Sequence, residues 1–107
     1  MRVAALRVEL HIPMSQSLKA KRSVLRPFIT GLERLGSYSV AEVDHHDSWQ
    51  RAAVGVAVVA PDGKGLAMHI EKIRRYLDSR LDVDVLDVTM SELEESQWES
   101  RAGGCSK

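Results

Sequence analysis

Ala4, Leu6, Val8, Leu10 and Ile12 alternate with Ala5, Arg7, Glu9 and His11, a period of two that argues for a β-strand with one buried face. A chain that opens this way needs a second layer to cover its apolar side. Residues 17–35 offer one. Leu18, Leu25, Phe28, Ile29, Leu32 and Leu35 recur at spacings of three and four, the stripe of an amphipathic helix with Ser15 or Ser17 as its cap and Gly36 as its stop. Pro27 falls inside that helix and predicts an irregularity near Ser23, because proline removes an internal hydrogen bond.

Residues 38–44 and 50–60 read as two valine- and alanine-rich strands joined by the polar tip HHDSW in a hairpin-like connection. The segment APDGKG is Pro and Gly punctuation, with residues 62–65 a turn. Glycines precede the next helix there, but neither GxxxxGK[ST] nor GxGxxG spacing is present. A second helix over about 66–81 carries Leu66, Ile70, Ile73 and Leu77 on its apolar side. A last strand follows over 83–90. The polar end, SELEESQWESRAGGCSK, reads at most as a frayed helix to Trp98, with residues 96–107 a disordered tail.

The order strand, helix, strand, strand, helix, strand predicts an α+β fold of the ferredoxin-like βαββαβ kind over residues 1–95, a single domain. Its antiparallel four-stranded sheet carries both helices on one face. The opposite face is expected to show Arg7, Glu9 and His11 from the first strand and Arg51, Ala53, Gly55, Ala57 and Val59 from the third, since a one-residue slip would exchange the faces.

Fifteen basic residues balance fifteen acidic ones among 107, so no global field attracts nucleic acid or membrane, and a polyanion must meet a local patch. One cysteine, Cys105, cannot form an internal bridge, which fits a reducing cytoplasm. Charges at Arg2, Arg7 and Glu9 leave no signal-length apolar run, and no 18-residue apolar stretch occurs. The expected location is cytoplasmic, with no membrane partner.

Three stretches, LHIPMSQSLKAKRSVLRPF, VAEVDHHDSWQRAAVGVAVV and VDVLDVTMSELE, resemble the YlxP-like family of small uncharacterised bacterial proteins. The likeness covers about residues 2–94 and implies a ferredoxin-like fold. The family pattern carries a loop like Asp44-His45-x-Asp47-x-Trp49-Gln50-Arg51-Ala52, with His46 at a free position. Members are often encoded beside translation initiation and ribosome-maturation factors, including ribosome-binding factor A, which is an association and not a mechanism.

The cluster Glu42, Asp44, His45, His46 and Asp47 has the donor types of a transition-metal site. Adjacent histidines on an extended segment point to opposite sides, however, and no HExxH or CxxC pairing exists, so the expectation is no metal and no cofactor. Catalysis finds a base in His45 with Asp44 or Asp47 but no nucleophile: Ser48 lacks a GxSxG elbow, and nothing lowers the pKa of Cys105. No catalytic residue is assigned. Two readings remain for the loop. Asp44 and Asp47 shape a turn while Trp49 packs on a sheet edge and Arg51 pairs with a carboxylate, or Asp44, His45, Asp47, Trp49 and Arg51 contact a partner or ligand.

Lys19, Arg22 and Arg26 recur at i, i+3 and i+7 with Lys21 nearer the apolar side, a strip that phosphates can read and that solvent can equally well satisfy. The leading expectation is a non-enzymatic accessory of translation or ribosome maturation that touches RNA through Lys19, Lys21, Arg22 and Arg26, with ribosomal RNA or the ribosome as partner. Its rivals are a homo-oligomeric interaction or ligand-sensing module built on the open sheet face, and a metal-dependent hydrolase using Asp44, His45 and His11.

Overall fold

In the computed structural model, which describes residues 1–99, the chain runs β1 (Arg2–His11), α1 (Leu18–Glu33), β2 (Ser39–Asp44), β3 (Arg51–Ala60), α2 (Gly63–Ser79) and β4 (Asp84–Glu94), with a 3₁₀ turn at Glu95–Gln97. The four strands form one antiparallel sheet in the order β2-β3-β1-β4. This is the expected ferredoxin-like α+β fold, with both helices over the same face. The alternation in β1 sets the sides: Ala4, Leu6, Val8 and Leu10 are buried and Ala5 and Arg7 exposed.

Phe28, Leu25 and Leu32 of α1 and Leu66, Ile73 and Leu77 of α2 close over Val54, Val56 and Val58 of β3. Each such side chain contributes on the order of 2 kcal/mol by leaving water. Among the described residues, no helix is long and apolar enough to cross a membrane.

The element ends differ from expectation for local reasons. Ser17 caps α1, its Oγ accepting from the Ala20 amide at 2.9 Å. The helix then passes unbroken through Pro27. Ser23 and Pro27 both face solvent, so water can serve the Ser23 carbonyl that proline leaves without a partner. The irregularity expected near Ser23 does not interrupt the helix. Residues 62–65 are not a separate turn: Asp62 caps α2, its Oδ1 accepting from the Gly65 amide at 2.8 Å. Strand β4 also outruns its expected end, because Ser91, Glu92 and Leu93 continue the pairing with Ala5, Ala4 and Val3. The tail expected from residue 96 therefore begins with the ordered 3₁₀ turn, while residues 100–107, Cys105 among them, lie outside the described part.

The two helices meet where α1 has no side chain. A Cβ at Gly31 would collide with the ring and hydroxyl of Tyr76, whose hydroxyl donates to the Phe28 carbonyl at 2.9 Å and accepts from Arg80. Alanine would favour the helix by about 1 kcal/mol, but moving Tyr76 loses a part-buried hydrogen bond and its packing on Phe28. Gly31→Ala is expected to lower stability by about 1 to 2 kcal/mol, read as a reduced urea midpoint. A raised midpoint would mean that Tyr76 moves aside without loss.

Candidate functional site

The loop between β2 and β3 is built around a lysine. Lys21 lies one turn into α1 and is only 1% exposed. Its ammonium donates to Glu42 Oε2 at 3.0 Å, the His45 carbonyl at 2.9 Å and the Arg51 carbonyl at 3.2 Å. An ammonium moved out of water loses several kcal/mol of hydration, and three acceptors in fixed positions are what offset that loss. Lys21 thus cannot act as a solvent-facing phosphate ligand with Lys19, Arg22 and Arg26, as the sequence suggested. Long aliphatic stems let a lysine face inward where a neighbouring acceptor set exists, and that set comes from residues 21 to 30 positions away.

Around the lysine the chain turns sharply. A register shift falls between Glu42 and Asp44 in β2, and His45 adopts φ 62°, a left-handed conformation uncommon outside glycine. Asp44 Oδ1 accepts from the His45 amide at 2.8 Å. The Ser48 amide donates to the His45 carbonyl at 3.0 Å, and Ser48 Oγ accepts from the Arg51 amide at 3.1 Å. The turn role expected of Asp44 is present, whereas that expected of Asp47 belongs to Ser48. On the far side, Gln50 donates from Nε2 to the Ser15 carbonyl at 3.1 Å, tying the loop to the entry of α1.

The open sheet face then receives the loop's charges. Glu9 is the hub: Oε1 faces His45 Nε2 at 3.0 Å and Arg51 Nη2 at 3.2 Å, while Oε2 accepts from Arg7 Nε at 2.8 Å. Arg7 also donates to Asp44 Oδ2 at 3.0 Å. At the neighbouring position His11 Nδ1 faces Asp84 Oδ2 at 3.1 Å. Partial burial pushes the Glu9 carboxyl up, but the hydrogen bonds from His45, Arg7 and Arg51 outweigh it, and the net effect holds Glu9 below the usual carboxylate range. Asp44 is lowered too, first by the Arg7 hydrogen bond and then by the His45 amide.

Of the loop residues expected to meet a partner, Asp44, His45 and Arg51 come together in this network. Asp47 and Trp49 stay outside it, with Trp49 56% exposed. Arg7 and Glu9 complete the cluster. The strand pattern placed them on the open face, but nothing local indicated that they would meet a loop some 35 residues away.

Among the described residues no three His, Cys, Asp or Glu side chains converge to hold a metal ion. His45 is engaged by Glu9 and His11 by Asp84, so the triad of Asp44, His45 and His11 imagined for metal-dependent hydrolysis does not assemble. What the arrangement does chemically is neutralise itself, with two guanidinium groups and an imidazole spread over two carboxylates.

Two outcomes test these assignments. Lys21→Met should cost about 3 to 5 kcal/mol of folding stability by leaving Glu42 and two carbonyls without their donor, and adding Glu42→Gln should recover part of it; equal losses in single and double variants would remove the ion pair from the account. Glu9 and Asp44 have folded-state pKa values below their unfolded ones, so their stabilisation is complete above the unfolded carboxylate pKa of about 4 and is lost as pH falls through the lowered values. Urea titrations from pH 5 to pH 3 should show a steeper loss for the wild type than for Glu9→Gln. Parallel slopes would contradict the network.

A family model described as a protein of unknown function, DUF503, matches residues 3–90. An uncharacterised protein of Bacillus subtilis strain 168, YlxP, is 28% identical over 68 residues, covering 64% of this chain and 74% of that protein. The match spans β1 to most of β4 and so includes the lysine, the loop and the hub glutamate, and the chain belongs to the DUF503 family of YlxP-like proteins, whose function is uncharacterised.

Proposed function

We propose that the protein is a non-enzymatic RNA-binding accessory of translation or ribosome maturation, with the outer face of its helices toward the RNA. One observation carries this reading: Lys19, Arg22 and Arg26 are exposed on one side of α1, and none has a carboxylate partner among the described residues. A solubilising helix face commonly interleaves acids with its bases. Here residues 18–34 hold Lys19, Lys21, Arg22, Arg26 and Arg34 against Glu33 alone, and residues 63–80 hold Lys64, Lys72, Arg74, Arg75 and Arg80 against Glu71 and Asp78.

The strands reverse the balance, with Asp84, Asp87, Glu92 and Glu94 on β4. A chain of zero net charge thus has a cationic helix layer and an anionic sheet edge, the asymmetry that lets a neutral protein present a phosphate-binding surface. Trp49 adds an exposed ring at the end where the loop meets α1, through the Lys21 and Gln50 bonds, and such a ring can stack on an unpaired base. The translation setting comes from the family resemblance. A non-catalytic reading accords with a histidine and carboxylate that face each other without a nucleophile between them.

Replacing Lys19, Arg22 and Arg26 by Ala should weaken binding to ribosomal subunits or a single-stranded RNA at low salt. It should also lower the magnitude of the log K against log salt slope by about 2, at about 0.7 per phosphate contact. Co-sedimentation and fluorescence titration of Trp49 read the two effects. Unchanged affinity and slope would remove the strip, and absence of binding by the wild type at any salt would remove RNA.

A further inference from the structure

We propose that the open face of the sheet is the contact surface for a second copy of this chain. The strand register arranges that face in rows. Val59, Val3 and Leu93 form the row at one end; Ser39, Ala57, Ala5 and Ser91 form the next; Ala41, Gly55, Arg7 and Thr89 follow. The far end is the charged network around Glu9. The face therefore grades from apolar, through small side chains, to ion pairs.

Val59 is 61% exposed, Val43 48% and Leu93 50%, and among the described residues no helix or loop covers them. Gly55 has a specific part in this surface. A Cβ there would meet Val43 Cγ1 at 2.9 Å, so glycine lets Val43 fold over β3, and the shallow apolar depression between Ala41, Val43, Gly55 and Ala57 results.

Two observations point to a like copy as the occupant. The first is area. Three strands of ten or eleven residues and one of six, at about 3.4 Å per residue and about 4.8 Å between strands, present roughly 600 Å². Two such faces bury about 1,200 Å², which reaches the range of specific protein complexes. Rows of alanine, glycine and serine give a low relief that lets two sheets approach closely over that whole area.

The second is charge. Arg7, Arg51, Glu9, Asp44, His11 and Asp84 are paired within the face itself. Asp87, opposite Glu9 at the edge of the sheet, is the carboxylate of this face without an ion-pair partner among the described residues; the other charges enter a contact with an identical face already paired. Among the described residues the face carries no Phe, Tyr or Trp, and stacking on bases has nothing to work with there. In such a pair the two helix layers point outward on opposite sides, so the surface proposed for RNA remains open.

Sedimentation velocity of the full chain from 1 to 200 µM tests the pairing with no RNA present, which keeps it independent of the RNA reading. The expected result is a concentration-dependent rise to twice the monomer mass, with Ala57→Glu and Ala5→Glu raising the dissociation constant at least tenfold. Far-ultraviolet circular dichroism shows whether each variant is folded. A second measurement needs no variant: relaxation of the Val43, Val59 and Leu93 methyl groups by a soluble paramagnetic agent should fall as protein concentration rises. A wild-type monomer throughout, a dimer indifferent to both folded variants, or methyl relaxation that does not change with concentration would overturn the proposal.

Discussion

The buried ammonium of Lys21 is the contact on which the working end of this molecule depends. It ties the first turns of α1, which belong to no strand pairing, to the loop end of the β2–β3 pair, at Glu42 and His45 on one side and Arg51 on the other. Without a donor at that point, two carbonyls and a carboxylate would face each other in a confined space, and their repulsion would open the loop. With it, the backbone of His45 is held in a left-handed conformation that histidine does not favour. The His45 imidazole is thereby aimed at Glu9 on the opposite side of the sheet from α1. A charge under the sheet's end thus positions a polar network above it.

That network engages the histidines and most of the carboxylates of the loop with partners of their own. Apart from Asp47, each has a partner within the fold. Glu9 faces three donors, Asp44 accepts from Arg7 and a backbone amide, and His11 is matched by Asp84. The groups with spare capacity are those outside the network, the exposed cations of the helices and the ring of Trp49. Division of charge between the two layers gives a chain of zero net charge two unlike surfaces, a cationic helix layer and a sheet face whose charges are mostly paired within it.

Much of the fold was legible in the residues because it rests on local periodicity. The alternation in β1, the stripes of α1 and α2 and the Ser17 cap all depend on neighbours within a few positions, and the side of the sheet that each β1 residue faces followed directly. The misreadings were at places where local rules compete with context. Proline in α1 is tolerated because its position faces solvent. Asp62 reads equally as a turn residue or a cap, and the helix following it decides for the cap. Strand β4 extends through a polar segment because β1 offers a free edge as far as Arg2.

The candidate site was half legible. Asp44, His45 and Arg51 stood out as a cluster in one short segment, and short segments display their own chemistry. Arg7 and Glu9, which bind that cluster, are alternating charges on a strand, and Lys21 is one basic residue among four in KAKRSVLR. The pattern of apolar residues by itself determined the element order, the sheet's two sides and the hydrophobic core, because burial is enforced residue by residue along each element. Tertiary structure alone decided which lysine is buried, which carboxylate becomes the hub and which cations remain exposed. Those outcomes depend on acceptors brought within 3 Å from distant parts of the chain, and Coulomb and hydrogen-bond energies at that range are fixed by geometry that no sequence interval encodes.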